Sequence, residues 1–112
     1  MNYEQYSPDY SEDGFWNKIK KYGRKAGILV LERAFTLYYC LADKDTPLWA
    51  KAVITGALGY FIVPTDAIPD ILFPGGYADD AIVLAGAIFV VHAHIKEEHR
   101  KQGREQAERL FS

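Results

Sequence analysis

Apolar residues recur along this chain with helical spacing and never with the alternation of a strand. Phe15, Trp16, Ile19, Tyr22 and Ala26 recur at spacings of three and four (15/19, 16/19, 19/22, 22/26), which marks one face of a first helix over Phe15 to Lys25. Asp13 is its expected N-cap, with Ser11 the weaker candidate. Gly23 and Gly27 loosen the end of that helix. In a second helix, Ile28 to Leu41, the apolar positions wrap more than half the circumference, so it must meet more than one neighbour. Asp43-Lys44-Asp45-Thr46-Pro47 breaks the pattern, and Thr46 followed by Pro47 reads as a cap and first position of a third helix, Leu48 to Ile62. That helix is apolar all round except for Lys51, with Ala52, Gly56 and Gly59 forming a small-residue edge for close helix packing. A fourth apolar helix is expected from Asp79-Asp80 to about Ile95. The last helix, Glu97 to Leu110, alternates charge sign and offers only Ala107, Leu110 and Phe111 for docking, so it reads as solvent-facing.

The stretch Tyr60 to Asp80, which runs from the end of the third helix to the start of the fourth, holds three of the five prolines and four acidic residues but no lysine or arginine. The predicted fold is therefore all-α: a small bundle of four to five helices organised around an apolar hairpin with an acidic, proline-rich turn. Residues 1–14 read as a flexible acidic tail and 15–112 as one helical domain, a usual size for a single core at 112 residues.

Composition narrows the chemistry. A net charge of -2 makes nucleic acid an improbable partner, and the single Cys40 excludes an intrachain disulfide and suits a reducing compartment. The acidic N-terminus has none of the features of a secretory signal. His92 and His94 point to different faces of a helix, and His92 and His99 lie nearly two turns apart, so the spacing of a helical zinc pair is absent and end-of-helix or surface roles are expected. No serine stands in a nucleophile context. The chain reads as non-enzymatic.

Asp66 and Asp70 are four apart and would share a side of a short helical turn, towards which Phe73-Pro74-Gly75-Gly76 would return Asp79 and Asp80. Four carboxylates without a base repel one another unless they are solvated, protonated or bridged by a cation. An all-oxygen set of this kind suits Mg²⁺, Mn²⁺ or Ca²⁺, and helix capping by the same aspartates is the competing reading.

Tyr60, Pro64, Asp66, Ile68-Pro69-Asp70, Gly76 and Asp79-Asp80 closely resemble the signature of the YkvA-like family, a small bacterial domain of unknown function. The resemblance runs upstream through Tyr38-Tyr39, Thr46-Pro47 and Lys51 and downstream to His94-Ile95-Lys96, covering most of residues 30 to 96. It departs at Pro74, which comes four residues after Asp70 where the family often has proline after three. It departs again at Glu97, where the family often has proline. The resemblance implies an all-helical module, sometimes treated as membrane-embedded, and brings no catalytic residue.

The basic helix suggests where such a module would act. Phe15 and Trp16 with Lys18, Lys20, Lys21, Arg24 and Lys25 compose a segment suited to an anionic membrane surface. Ala52 to Val63 and Ala81 to Val91 each span roughly 18 Å as helix, short of a hydrocarbon core of about 30 Å, so surface association or shallow insertion is expected rather than a full crossing. The leading expectation is an adaptor or small subunit at the cytoplasmic face of a membrane, with lipid or a membrane protein as partner. The alternatives are a cytoplasmic, soluble domain that binds a divalent metal at the aspartates, hydrolysis being the chemistry such a site would support, and a homo-oligomerising or partner-binding domain that uses its small-residue helices.

Overall fold

The capped start of the first helix sets the order of the chain. Ser11 has an extended backbone, and its Oγ accepts the Gly14 N–H at 2.9 Å. The cap is therefore Ser11 rather than Asp13, which instead lies in the first turn with Glu12, where negative charge suits the helix dipole. In the computed structural model, which describes residues 7–62 and 80–111 apart from the side chains of Arg24, Asp80 and Ala81, five α-helices follow. They are α1 (Glu12–Ala26), α2 (Ile28–Ala42), α3 (Leu48–Ile62), α4 (Asp80–Val91) and α5 (Glu97–Phe111), with a 3-10 turn at His92–His94. There is no strand among the described residues, and the fold is a small all-α bundle.

Gly27 separates α1 from α2 at φ 93°, a conformation in which a side chain would be strained. Gly23 does not interrupt α1. The segment expected to be a loose tail is structured from Ser7 onward. A short 3-10 turn begins there, and the Ser7 hydroxyl lies 3.1 Å from the Ala52 carbonyl and 2.8 Å from Thr55 Oγ1 on α3.

The core is built on α2 and α3. Phe35, Leu31 and Leu37 from α2 and Ile54, Leu58 and Phe61 from α3 are fully buried. α1 seals one flank with Phe15, whose ring stacks on Tyr38 at 4.9 Å and meets Phe35 edge-on at 5.8 Å. α4 covers α2 and α3 with Val83, Leu84, Ala87 and Val91, spaced as one helical face. Trp49 at the start of α3 packs edge-on against His94 just past the end of α4, which makes α3 and α4 antiparallel neighbours. Their connecting turn lies outside the described residues. α4 is shorter than expected, ending at Val91, where the His92 ring bonds back to the Phe89 carbonyl at 2.7 Å.

The largest correction concerns α5. Its alternating charges read as solvent-facing, yet it packs along α2 more extensively than any other described pair of helices. Gly103 makes this possible: a Cβ there would lie 2.6 Å from Thr36 Oγ1, 2.8 Å from the Thr36 nitrogen and 3.1 Å from the Glu32 carbonyl. His99 and Ala107, at four-residue steps on either side, are buried on the same stripe. Three small or medium side chains thus seat a helix whose sequence is otherwise polar.

Candidate functional site

Among the described residues, two places concentrate chemistry; the acidic turn singled out in the sequence lies outside them. The first joins the α2–α3 loop to the start of α5. Asp43 Oδ1 accepts the Asp45 N–H at 2.9 Å, which fixes the loop locally. Its Oδ2 meets Lys96 Nζ at 2.9 Å and His99 Nε2 at 2.8 Å, and Lys96 Nζ also reaches Asp45 Oδ2 at 2.8 Å. The Lys96 carbonyl accepts the His99 and Arg100 N–H groups, so Lys96 occupies the cap of α5. The Lys96 N–H in turn donates to His99 Nδ1 at 3.0 Å, the reach-back role usually filled by Glu or Gln at the third helical position.

These contacts fix the imidazole. Because Nδ1 accepts a backbone N–H, the ring proton sits on Nε2 and points at Asp43. The Asp45 N–H, then Lys96 and His99, hold the Asp43 carboxyl well below the usual carboxylate range, while Asp45 and Asp43 raise Lys96 above its ordinary value. Of the surface or helix-end role expected for His99, the helix end is what the structure has: it is the third residue of α5, and it is buried at 3% exposure. Only its spacing from Lys96 was legible beforehand, since Asp43 lies 56 residues away.

Among the described residues, no reactive group adjoins this cluster. Cys40 is free and buried, and burial pushes its thiol up; its S–H faces the His94 carbonyl at 3.6 Å. The Thr46 hydroxyl, expected to cap α3, donates to the Cys40 carbonyl at 2.7 Å and so closes the end of α2 instead. With every buried polar atom satisfied, the cluster is a clamp between the α2–α3 loop and the start of α5.

The second place is α4. Ile82 is 67% exposed and Phe89 76%, both on the face opposite the buried Val83–Leu84–Ala87–Val91 stripe, and Val90, 46% exposed, lies on the flank next to Val83. Leu48 and Trp49 are likewise exposed, and the Trp49–His94 contact puts them beside the end of α4. Along its other flank, α4 faces α5 across an open cavity of about 390 Å³ floored by α2. Ala85 and Ile88 of α4 give that cavity an apolar side and Arg100 and Arg104 of α5 a basic one, with Leu29 and Arg33 on the α2 floor.

The residues singled out in the sequence fare differently. Phe15 is fully buried and is a core residue, not a lipid contact; Trp16 packs beside it at 5.5 Å. Lys18 folds back over the Tyr22 ring at 4.5 Å, while Lys20, Lys21 and Lys25 are exposed. The Arg24 side chain lies outside the described residues. Glu12 Oε1 accepts the Tyr38 hydroxyl at 2.6 Å, and Tyr10, partly buried nearby, is pushed up to about 12 by burial, Tyr38 and Glu12. Asp66, Asp70 and Asp79 lie outside the described residues, as does the side chain of Asp80. Among the described residues no three His, Cys, Asp or Glu side chains are grouped so as to hold a metal. No helix among them is long and apolar enough to cross a membrane.

Residues 50–86, a minority of the chain, match a family described as "Protein of unknown function (DUF1232)". The matched stretch includes most of α3 and the first half of α4, and it brings no activity with it. No curated protein and no solved structure matches the chain.

Proposed function

We propose that the protein is a non-enzymatic helical module that docks peripherally on an anionic membrane surface, at the cytoplasmic face, through the outer side of α4. The observation that carries this reading is the large apolar side chains left in water on α4: Ile82 and Phe89 on its outer face, with Val90 on the flank. Single exposed apolar residues are ordinary on a protein surface, but a cluster of large ones along one helix marks an interaction site. Leu48 and Trp49 extend the apolar area at one end, and a tryptophan there suits the depth of lipid head groups. The arginines on the α5 side supply attraction to negative lipid.

This moves the membrane contact from α1 to α4. α1 spends its aromatic face on the core, and α1 and α4 pack on the same pair of helices with no sizeable contact between them. The exposed α1 lysines therefore do not rim the α4 face.

Co-sedimentation with vesicles tests the proposal. The full chain should pellet with vesicles containing phosphatidylglycerol and remain largely in solution with pure phosphatidylcholine at the same salt. A chain that stays in solution with both, and sediments alone as a dimer, would assign the α4 face to a second copy and sink the membrane reading.

A further inference from the structure

The cavity between α4 and α5 has two chemically distinct sides. Leu29 and Ile88 offer branched apolar groups, with Ala85 leaving room between them. Opposite, Arg100 and Arg104 stand one helical turn apart on α5 and present their guanidinium groups on the same face. Both are exposed, and among the described residues neither enters an ion pair. Arg33 adds a third guanidinium from α2.

The groups that oppose this charge are few. Glu32 is the one carboxylate in the lining, set against three guanidinium groups. Thr36 on the floor has no donor left for an anion, because its hydroxyl donates to the Glu32 carbonyl at 2.7 Å. A site that is apolar on one side and doubly cationic on the other, through Arg100 and Arg104, matches an anionic amphiphile. Guanidinium pairs favour phosphate oxygens, and a volume of about 390 Å³ lies within the range of small-ligand sites.

We propose that this cavity seats the phosphate head group of an anionic phospholipid, with Arg100 and Arg104 on the phosphate and the first acyl carbons along Leu29 and Ile88. The inference rests on the membrane-docking reading and names the lipid that the docked face recognises. Its geometry is consistent with that pose: the cavity opens along the flank of the same helix whose outer face carries Ile82 and Phe89.

The test uses lipid that is soluble as monomer. Dihexanoyl phosphatidylglycerol, below its micelle concentration, should raise the melting temperature of the full chain and shift the backbone amides of 82–89 and 100–104. Dihexanoyl phosphatidylcholine, and inorganic phosphate at the same concentration, should do so far less, the first for want of net charge and the second for want of a chain. The double variant R100Q/R104Q should bind the short-chain anionic lipid roughly tenfold or more weakly, with its own melting temperature unchanged. An equal response to inorganic phosphate would make this a free-oxyanion site and overturn the proposal. So would a response unchanged in R100Q/R104Q, or none at all. Vesicle docking without a response to soluble lipid would remove the cavity proposal and leave docking intact; soluble-lipid binding without vesicle docking would do the reverse.

Discussion

α1 and α4 exchange the roles that their compositions suggest. α1 is strongly amphipathic, with a basic face and two adjacent aromatics, the composition of a helix that lies on lipid. α4 is apolar in nearly every position, the composition of a helix buried on all sides. In the bundle Phe15 of α1 is sealed in the core, and α4 stands at the outside with Ile82 and Phe89 in water. A clear apolar stripe shows which side of a helix will be covered, and by the same token it uses that side up. A helix with no polar side cannot be satisfied by packing on α2 and α3 alone, so something apolar is left over.

The largest effect that would break this contrast is on stability. Phe15→Ala should cost about 3–5 kcal/mol, read by urea unfolding, because the ring fills the junction of α1, α2 and α3. Phe89→Ala should change stability by no more than about 0.5 kcal/mol. Comparable losses at the two positions would mean that the exposed face is not free.

Next comes binding. Phe89→Ser should weaken pelleting with anionic vesicles roughly tenfold or more, since a buried phenylalanine side chain contributes on the order of 1.5–3 kcal/mol. Unchanged binding would point to another surface.

Gly103→Ala tests why so polar a helix as α5 is anchored at all. Overpacking against Thr36 and the Glu32 carbonyl should cost about 1–3 kcal/mol, against a gain in helix propensity of about 1 kcal/mol. A net rise in melting temperature would show that α5 can lift away from α2 at little cost.

The Asp43–Lys96–His99 clamp sets a pH dependence. The Asp43 carboxyl is depressed in the folded state, so its contribution is complete above the unfolded value of about 4 and is lost as pH falls below it. Lys96 is raised, so its contribution persists below about 10.4 and is lost only as pH climbs through its still higher folded value. Asp43→Asn should therefore lower the melting temperature at pH 7 and flatten its fall between pH 4 and 2. A variant with the same acid limb as the parent chain would remove Asp43 from the account.

The smallest effect sharpens the comparison. Lys20→Gln with Lys21→Gln should alter vesicle affinity by less than about twofold, whereas lipid-facing lysines would contribute about 1 kcal/mol each.

Much of the bundle could be read beforehand because it rests on local rules. The limits of α2 fall within a residue of expectation and those of α3 agree with it, since Gly27, the Asp43–Pro47 break and the apolar blocks are contiguous in sequence. His99 and Gly103 did not show themselves in this way. Each matters through a partner dozens of residues away, Asp43 for one and Thr36 for the other, and no spacing rule joins them.

The sequence by itself determined that the chain would be helical, where most of its helices begin and end, and that α3 and α4 would be its most apolar parts. Tertiary structure alone decided which apolar faces stay uncovered, that a glycine would let α5 close on α2, and that arginines from α2 and α5 would meet beside α4. The reason is that helix periodicity is written within a few neighbouring residues, whereas exposure is what remains after every helix has competed for the same small core.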